Sequence, residues 1–263
     1  MTEQAILVEQ RTGYRVIALN RPDKLNAFND AMHEALRAAI ADAEADESCR
    51  ALMITGSGKA FCSGQDLNDR LPKDGKPIVL GESLEKYFNP LVKKLRTLRF
   101  PVVAAVNGVA AGAGCNVALA CDIVIAAQSA RFIQSFARIG IIPDAGGTWM
   151  LPRLVGDARA RGLALLAQDL TAEKAAEWGL IWRCVGDKAL VYEATRICEH
   201  FATAPTLGLA LIKQALNASV DNTLDQQLDL ERQLQRAAGE TPDYAEGVRA
   251  FMEKRKPNFT GRK

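Results

Sequence analysis

Phe100 to Asp122 reads FPVVAAVNGVAAGAGCNVALACD, and from Phe100 to Cys121 it carries no charged side chain. It is built from Ala, Val and Gly rather than Leu and Phe, and Pro101, Asn107, Gly108, Gly112 and Gly114 interrupt it. A bilayer span wants about twenty strongly apolar residues, so a buried strand followed by a tightly packed helix fits better. The strand is Val102 to Val106, closed by the Asn107-Gly108 turn signal. The helix is Cys115 to Cys121, small and apolar enough to be crowded on all sides. Between them Gly112-Ala113-Gly114 has almost no side chains. Its backbone can approach a ligand, and the N–H groups opening the helix have no intrahelical acceptor. Two readings stand at this point. The turn either donates to an oxygen that is becoming negative, or simply lets helix and strand pack closely.

Around that stretch the chain is ordinary for a globular protein. Its 263 residues allow one large domain or two small ones, 48% are apolar and 24% charged. A net charge of +2 gives no strong field towards nucleic acid or membrane. The first twenty residues contain Glu3, Glu9, Arg11 and Arg15 and no continuous apolar core, so no secretory signal is expected and a cytoplasmic protein is. The six cysteines form no CxxC pair, which suggests neither a zinc site nor a disulfide framework. The two histidines, His33 and His200, lie in patterns that read as exposed helix. Carboxylates and backbone dipoles are therefore the expected machinery of any enzyme here, without a metal.

Ala5 to Glu9 and Tyr14 to Leu19 read as an opening hairpin around Gly13. Asn29 or Asp30 caps a helix Ala31 to Ala45, and Arg50 to Thr55 is a third strand before the loop Lys59 to Asp69. Arg70 to Gly81 reads as a mobile surface loop. Ser83 to Arg99 is amphipathic, with Leu84, Phe88, Leu91, Leu95 and Leu98 on one face. Short strands at Ile123 to Ala127 and Ala130 to Ile133 follow, then a loop and helix start over Ile139 to Thr148. The rest reads as helix: Ala158 to Gln168, Ala172 to Trp178, Ala189 to Ala202, Thr206 to Ala218, Leu224 to Ala238 and Asp243 to Lys254. The fold class is α/β, with a core over 1–204 and a helical section over 205–263 suited to association.

Four motifs, in order, resemble the enoyl-CoA hydratase/isomerase (crotonase) superfamily. They are AFCSGQDL from Ala60, NGVAAGAGC from Asn107, Cys121-Asp122-Ile123, and GIIPDAGGT from Gly140; the resemblance continues through Leu151-Pro152-Arg153, Ala172 to Gly179 and Glu246 to Arg255. It implies a spiral of strand-strand-helix units, a helical part that builds trimers or dimers of trimers, and acyl-coenzyme A thioesters as substrates, with no other cofactor. A hydratase homologue is a further partner it suggests. In that family two backbone N–H groups hold the thioester oxygen, and they fall on Gln65 and Ala113, with Gly112 and Gly114 framing the second. Such donors stabilise an enolate by roughly 3 kcal/mol each.

The same resemblance locates the acids. Hydratases of the family use two glutamates, at positions that are Asn116 and Phe136 here. Neither exchanges protons usefully near neutral pH, so both are read as pocket residues. Asp144 stands where the family's dienoyl-CoA isomerases carry a catalytic aspartate and a related dehalogenase its nucleophile. A helix N-cap is the other reading of Asp144. A helix start would favour its carboxylate, while Phe136, Ile141, Ile142 and Trp149 would raise its pKa. The stretches Phe132 to Leu151 and Ala175 to Trp182 resemble the branch that converts the ring epoxide of phenylacetyl-CoA to the oxepin, with 3-enoyl to 2-enoyl shifts as a further activity. By resemblance CoA lies along Arg21, Lys24, Ala27, Asp66 and Leu67; Lys254, Arg255 and Lys256 are further candidates, as reach from a neighbouring subunit or as a solvated charge run, and Phe251 packs either on CoA or on the helical core. The competing expectations are water addition to 2-enoyl-CoA and a non-catalytic RNA-binding member, the latter disfavoured by the lack of a basic, aromatic face.

Overall fold

A computed structural model describes residues 4–70 and 79–261. β1 (Ile6–Arg11) and β2 (Tyr14–Leu19) pair antiparallel about Gly13, whose φ of 78° supplies the left-handed turn. α1 (Asp30–Ala45) is capped by Asn29, whose side chain accepts from Met32 N at 3.0 Å. β3 (Leu52–Gly56) and β4 (Ala60–Cys62) follow. α2 (Leu80–Ser83) runs through a π-helical turn, Leu84–Phe88, into α3 (Asn89–Thr97). The opening stretch becomes β5 (Val102–Val106), β6 (Val109–Ala111) and α4 (Ala113–Leu119). Then come β7 (Ile123–Ala127), β8 (Arg131–Ile133), a 3-10 turn Ser135–Ile139, α5 (Gly147–Val155) and α6 (Asp157–Leu166). β9 (Asp169–Thr171), α7 (Ala172–Glu177), β10 (Arg183–Val185) and α8 (Leu190–Thr203) complete the core, and α9 (Thr206–Ala218), α10 (Leu224–Gly239) and α11 (Pro242–Met252) end the chain.

Successive strand pairs divide between two sheets. The larger has the order β1-β2-β3-β5-β7-β10 and the smaller β4-β6-β8-β9, parallel except for the opening hairpin and the β8–β9 pair. Each turn of the spiral thus lays one strand in each sheet, which is the strand-strand-helix coil the motifs implied. β5 lies between β3 and β7 and is buried along its whole length, so it reads as an unbroken apolar run. Its alternate side chains enter opposite layers: Val102, Ala104 and Val106 pack in the main core, Val103 and Ala105 against Leu190, Ala194 and Cys198 of α8.

Several expectations change. The second half is not all helix, since β9 and β10 each add a strand at a sheet edge. The Lys59 to Asp69 segment contains β4, a strand of three buried residues too short to show periodicity. His33 is not exposed: it is stacked between Phe28 and Tyr87, with ring centroids 4.6 and 4.5 Å away. Most of the loop expected over Arg70 to Gly81 lies outside the described residues; Leu80 and Gly81 already belong to α2.

The C-terminal helices are layered, α9 on α3, α10 on α9 and α11 on α10. Lys213 of α9 is buried and donates to Leu95 O and to Asp122 Oδ2, both at 2.7 Å. Arg50 crosses the 204/205 division, bonding Ala204 O, Thr206 Oγ1 at 2.9 Å and Phe259 O at 3.0 Å. Among the described residues no helix is long and apolar enough to cross a membrane, and no cluster of His, Cys, Asp and Glu could hold a metal ion.

Candidate active site

β4 and β6 run in parallel and end side by side, pairing Ala60 with Val109 and Cys62 with Ala110. The turns that leave them therefore emerge on one edge of the smaller sheet. Gly64 has φ 100°, and a β-carbon there would lie 3.0 Å from Ala111 O and 3.5 Å from Ala113 N, so the two turns are in contact. Phe28 bridges to Gln65, donating to Gly64 O at 2.7 Å and accepting from Asp66 N at 2.9 Å. In a parallel bridge the bridged residue's own amide points the other way, which directs Gln65 N–H away from Phe28. The Gln65 side chain folds back, donating from Nε2 to Phe28 O at 3.0 Å. Ala113 is the first residue of α4, behind Gly112 at φ 51°, so its N–H has no intrahelical acceptor. The turn that carries Gln65 and the start of α4 at Ala113 are thus in contact.

The main chain of Asp144 is tied to α4. Asn116, one turn beyond Ala113 and on the same helix face, donates from Nδ2 to Asp144 O at 2.8 Å. Gly147 N donates to the same carbonyl, also at 2.8 Å. The residue at the cap of α5 is Gly146, two beyond Asp144, so the N-cap reading of Asp144 does not hold. Ala145 (φ 47°) and Gly146 (φ 80°) turn the chain through two consecutive left-handed residues, a conformation that costs an alanine and needs outside support.

Two pocket expectations are revised. Asn116 is 0% exposed, and its amide is spent on protein partners: Oδ1 accepts from Gln134 Nε2 at 2.8 Å. It is a strut rather than a polar group facing a ligand. Ile142 and Trp149, expected to raise the Asp144 pKa, turn outward: Ile142 is 77% exposed, and Trp149 lies between Arg96 and Arg153 at 5.5 and 4.3 Å. Phe136 is buried where expected, its ring 3.9 Å from the position of a β-carbon on Gly112. It is an apolar wall with no proton to exchange.

The residues expected along CoA separate into two groups. Arg21 donates to Ala27 O at 2.6 Å and to Asp66 Oδ2 at 3.0 Å, so its charge is already committed. Burial pushes the Asp66 carboxyl up, but the bonds from Arg21 and Asn68 outweigh it and hold it below the usual range. This pair braces the loop over 21–28 against the Gln65 turn, with Ala27 buried between. Lys24 and Leu67 remain exposed at that edge. Phe251, 82% exposed, and Lys254 lie on and just after α11, whose following tail closes on Arg50 ahead of β3. The fold of one chain does not gather them with the Gln65 edge.

Sequence reasoning passed over three framing residues. Gln134 is buried and gives its nitrogen to Asn116 Oδ1 and, at 3.3 Å, to Cys115 Sγ. Cys62 Sγ accepts from Gly64 N at 3.4 Å and so helps set the Gly64–Gln65 peptide. Burial pushes the Cys62 and Cys115 thiols up to about 12, which keeps them neutral and unreactive. Asn26, fully buried at φ 56°, donates to Ser57 O and Ala60 O at 2.9 and 2.8 Å and fixes the start of β4. A buried asparagine has no local signature, because its partners lie about thirty residues away.

A spiral of paired sheets with adjoining glycine turns at one strand edge is a fold of the crotonase type. Residues 9–262 match the enoyl-CoA hydratase/isomerase family, and the chain belongs to it. It is 54% identical over 258 residues to the 1,2-epoxyphenylacetyl-CoA isomerase of Escherichia coli, covering 98% of each chain. A Rhodobacter capsulatus protein named "probable enoyl-CoA hydratase" is 48% identical over all of both chains. Among solved structures, the enoyl-CoA hydratase of Bacillus anthracis superposes with a TM-score of 0.90 at 33% identity, over 98% of this chain and 100% of that one.

Proposed function

We propose that this chain isomerises acyl-CoA thioesters through an enolate, with the Gln65 and Ala113 amides binding the thioester oxygen and Asp144 moving the proton. The observation that carries this reading is the Asn116–Asp144 hydrogen bond. It ties the main chain of Asp144 to Asn116, one helical turn beyond Ala113, while the two positions where hydratases carry glutamates are an amide and a phenyl ring. The carboxylate takes a proton from a carbon in conjugation with the carbonyl, and the negative charge develops on the thioester oxygen. Returning the proton at another carbon shifts the double bond without water or redox change. The specific reaction we assign is ring-1,2-epoxyphenylacetyl-CoA to oxepin-CoA, in which the carbon–carbon bond shared by ring and epoxide breaks as the ring π electrons redistribute and the proton shift then brings a double bond into conjugation with the thioester; 3-enoyl to 2-enoyl shifts are a second activity. The 54% identity to the Escherichia coli isomerase supports that choice over others in the family.

CoA runs along the Lys24, Ala27 and Leu67 edge, and Phe251 and Lys254 reach it from a neighbouring subunit in a trimer or dimer of trimers. The helical section over 205–263 supplies that association. Asp144→Ala is expected to bind acyl-CoA esters normally and to lose turnover by about 10²–10⁴; isothermal titration with steady-state kinetics reads both. Unchanged turnover by this variant rejects Asp144 as the base. The hydratase reading draws on relatives with that name. Fast hydration of crotonyl-CoA that persists in Asp144→Ala would select it instead.

A further inference from the structure

Asn116 and Gln134 form a directional relay of two buried amides that ends on the main chain of Asp144. A carbonyl oxygen can only accept, so the end of Asn116 facing Asp144 O at 2.8 Å must be the nitrogen. That leaves Asn116 Oδ1 facing Gln134 at 2.8 Å, so Gln134 must present its nitrogen too. The second hydrogen of that nitrogen faces Cys115 Sγ at 3.3 Å. Asn116 is 0% and Gln134 2% exposed, so water does not compete and the direction of each bond matters. Gly147 belongs to the same frame, because a β-carbon there would overlap Asn116 Nδ2. The turn being held contains two left-handed residues, one of them an alanine, which is where an outside brace is needed.

We infer that Gln134 is a positioning residue for Asp144, acting through Asn116, and that the relay functions only while both members are amides. The inference rests on Asp144 being the proton carrier. An ionised carboxylate at 116 or 134 would set acceptor against acceptor and release the Asp144 carbonyl.

Gln134→Glu tests this, since it keeps the shape and exchanges a donor for an oxygen. The introduced carboxyl can still donate to Asn116 while it is protonated; once ionised it cannot. Burial raises its pKa, so the variant is competent below that value and fails above it. The expected result is a kcat that falls by up to about 10²-fold as pH rises, the cost of a base displaced by about 1 Å, with KM little changed. The wild type carries no titrating group at 134 and so has no such descending limb. Gln134→Met removes the donor at every pH and should show the lowered kcat without the extra limb, its fold checked by circular dichroism. A wild-type kcat and pH profile in Gln134→Glu, or a wild-type kcat in folded Gln134→Met, overturns the relay while an inactive Asp144→Ala leaves the base in place. Normal turnover by Asp144→Ala overturns both.

Discussion

Gly114 is the position at which the amide cradle has least room. A β-carbon there would lie 2.5 Å from Cys62 O and 2.6 Å from Cys62 Sγ, the atom that also accepts the Gly64 N–H. Gly114→Ala therefore pushes on the residue that orients Gln65. Overpacking of this kind costs about 1–3 kcal/mol, and urea unfolding should show a lower midpoint together with slower turnover. An unchanged midpoint would mean that β4 and α4 part without cost. The glycines and the aspartate at this scale were legible in the sequence, because turn chemistry and motif spacing are local. The duty of Asn116 was not. Its identity shows that it cannot carry a proton, but whether its amide faces a ligand or the protein depends on Gln134 and Asp144, eighteen and twenty-eight residues away.

At the scale of elements, one contact that fixes α9 pairs the buried Lys213 with the part-buried carboxylate of Asp122 at 2.7 Å. Asp122 Oδ2 also accepts from Val102 N at 2.8 Å, so one carboxylate ties α9 to the start of the central strand. Burial pushes the Asp122 carboxyl up even with Lys213 beside it. Lys213→Met should cost about 1–3 kcal/mol at neutral pH, since it takes the charged donor from a part-buried carboxylate and from Leu95 O. An acid of raised pKa is uncharged in folded and unfolded chains alike at low pH, and the penalty grows as pH rises through its unfolded value towards its folded one. The deficit of Lys213→Met against wild type should thus be small near pH 4 and full at pH 8, measured by thermal and urea unfolding. A deficit independent of pH would assign the loss to packing instead. Helix ends were read to within about three residues, since capping and amphipathic period are encoded nearby. β4, β6, β9 and β10 were not, since three residues carry no period, and β8 is the one strand of that length that was read.

Across the whole molecule, the helical end leaves apolar side chains in the open: Ile212 and Leu216 on α9, Leu224 and Leu228 on α10, Phe251 and Met252 on α11. A groove of about 530 Å³ runs between α9 and α10 past Ile212 and Leu228. An apolar face of this extent is the mark of an association surface, and copies of the same chain are the occupants we expect. Sedimentation should give a trimer or hexamer, and the double variant Leu224→Lys, Leu228→Lys should shift it towards monomer and weaken CoA-ester binding together. A monomeric wild type with full affinity would remove the neighbouring subunit from the site. By itself, the sequence determined the family, the α/β class, the glycine turns after β4 and β6 and the absence of a glutamate at 116 and 136, because each is written in residue identity and short-range spacing. Only the tertiary structure decided that Arg21 is bound to Asp66, that Ile142 and Trp149 face outward, and that two amides orient the Asp144 turn. Those facts are hydrogen-bond directions and exposures set between segments far apart in the chain, and no local pattern encodes which end of a buried amide meets which partner.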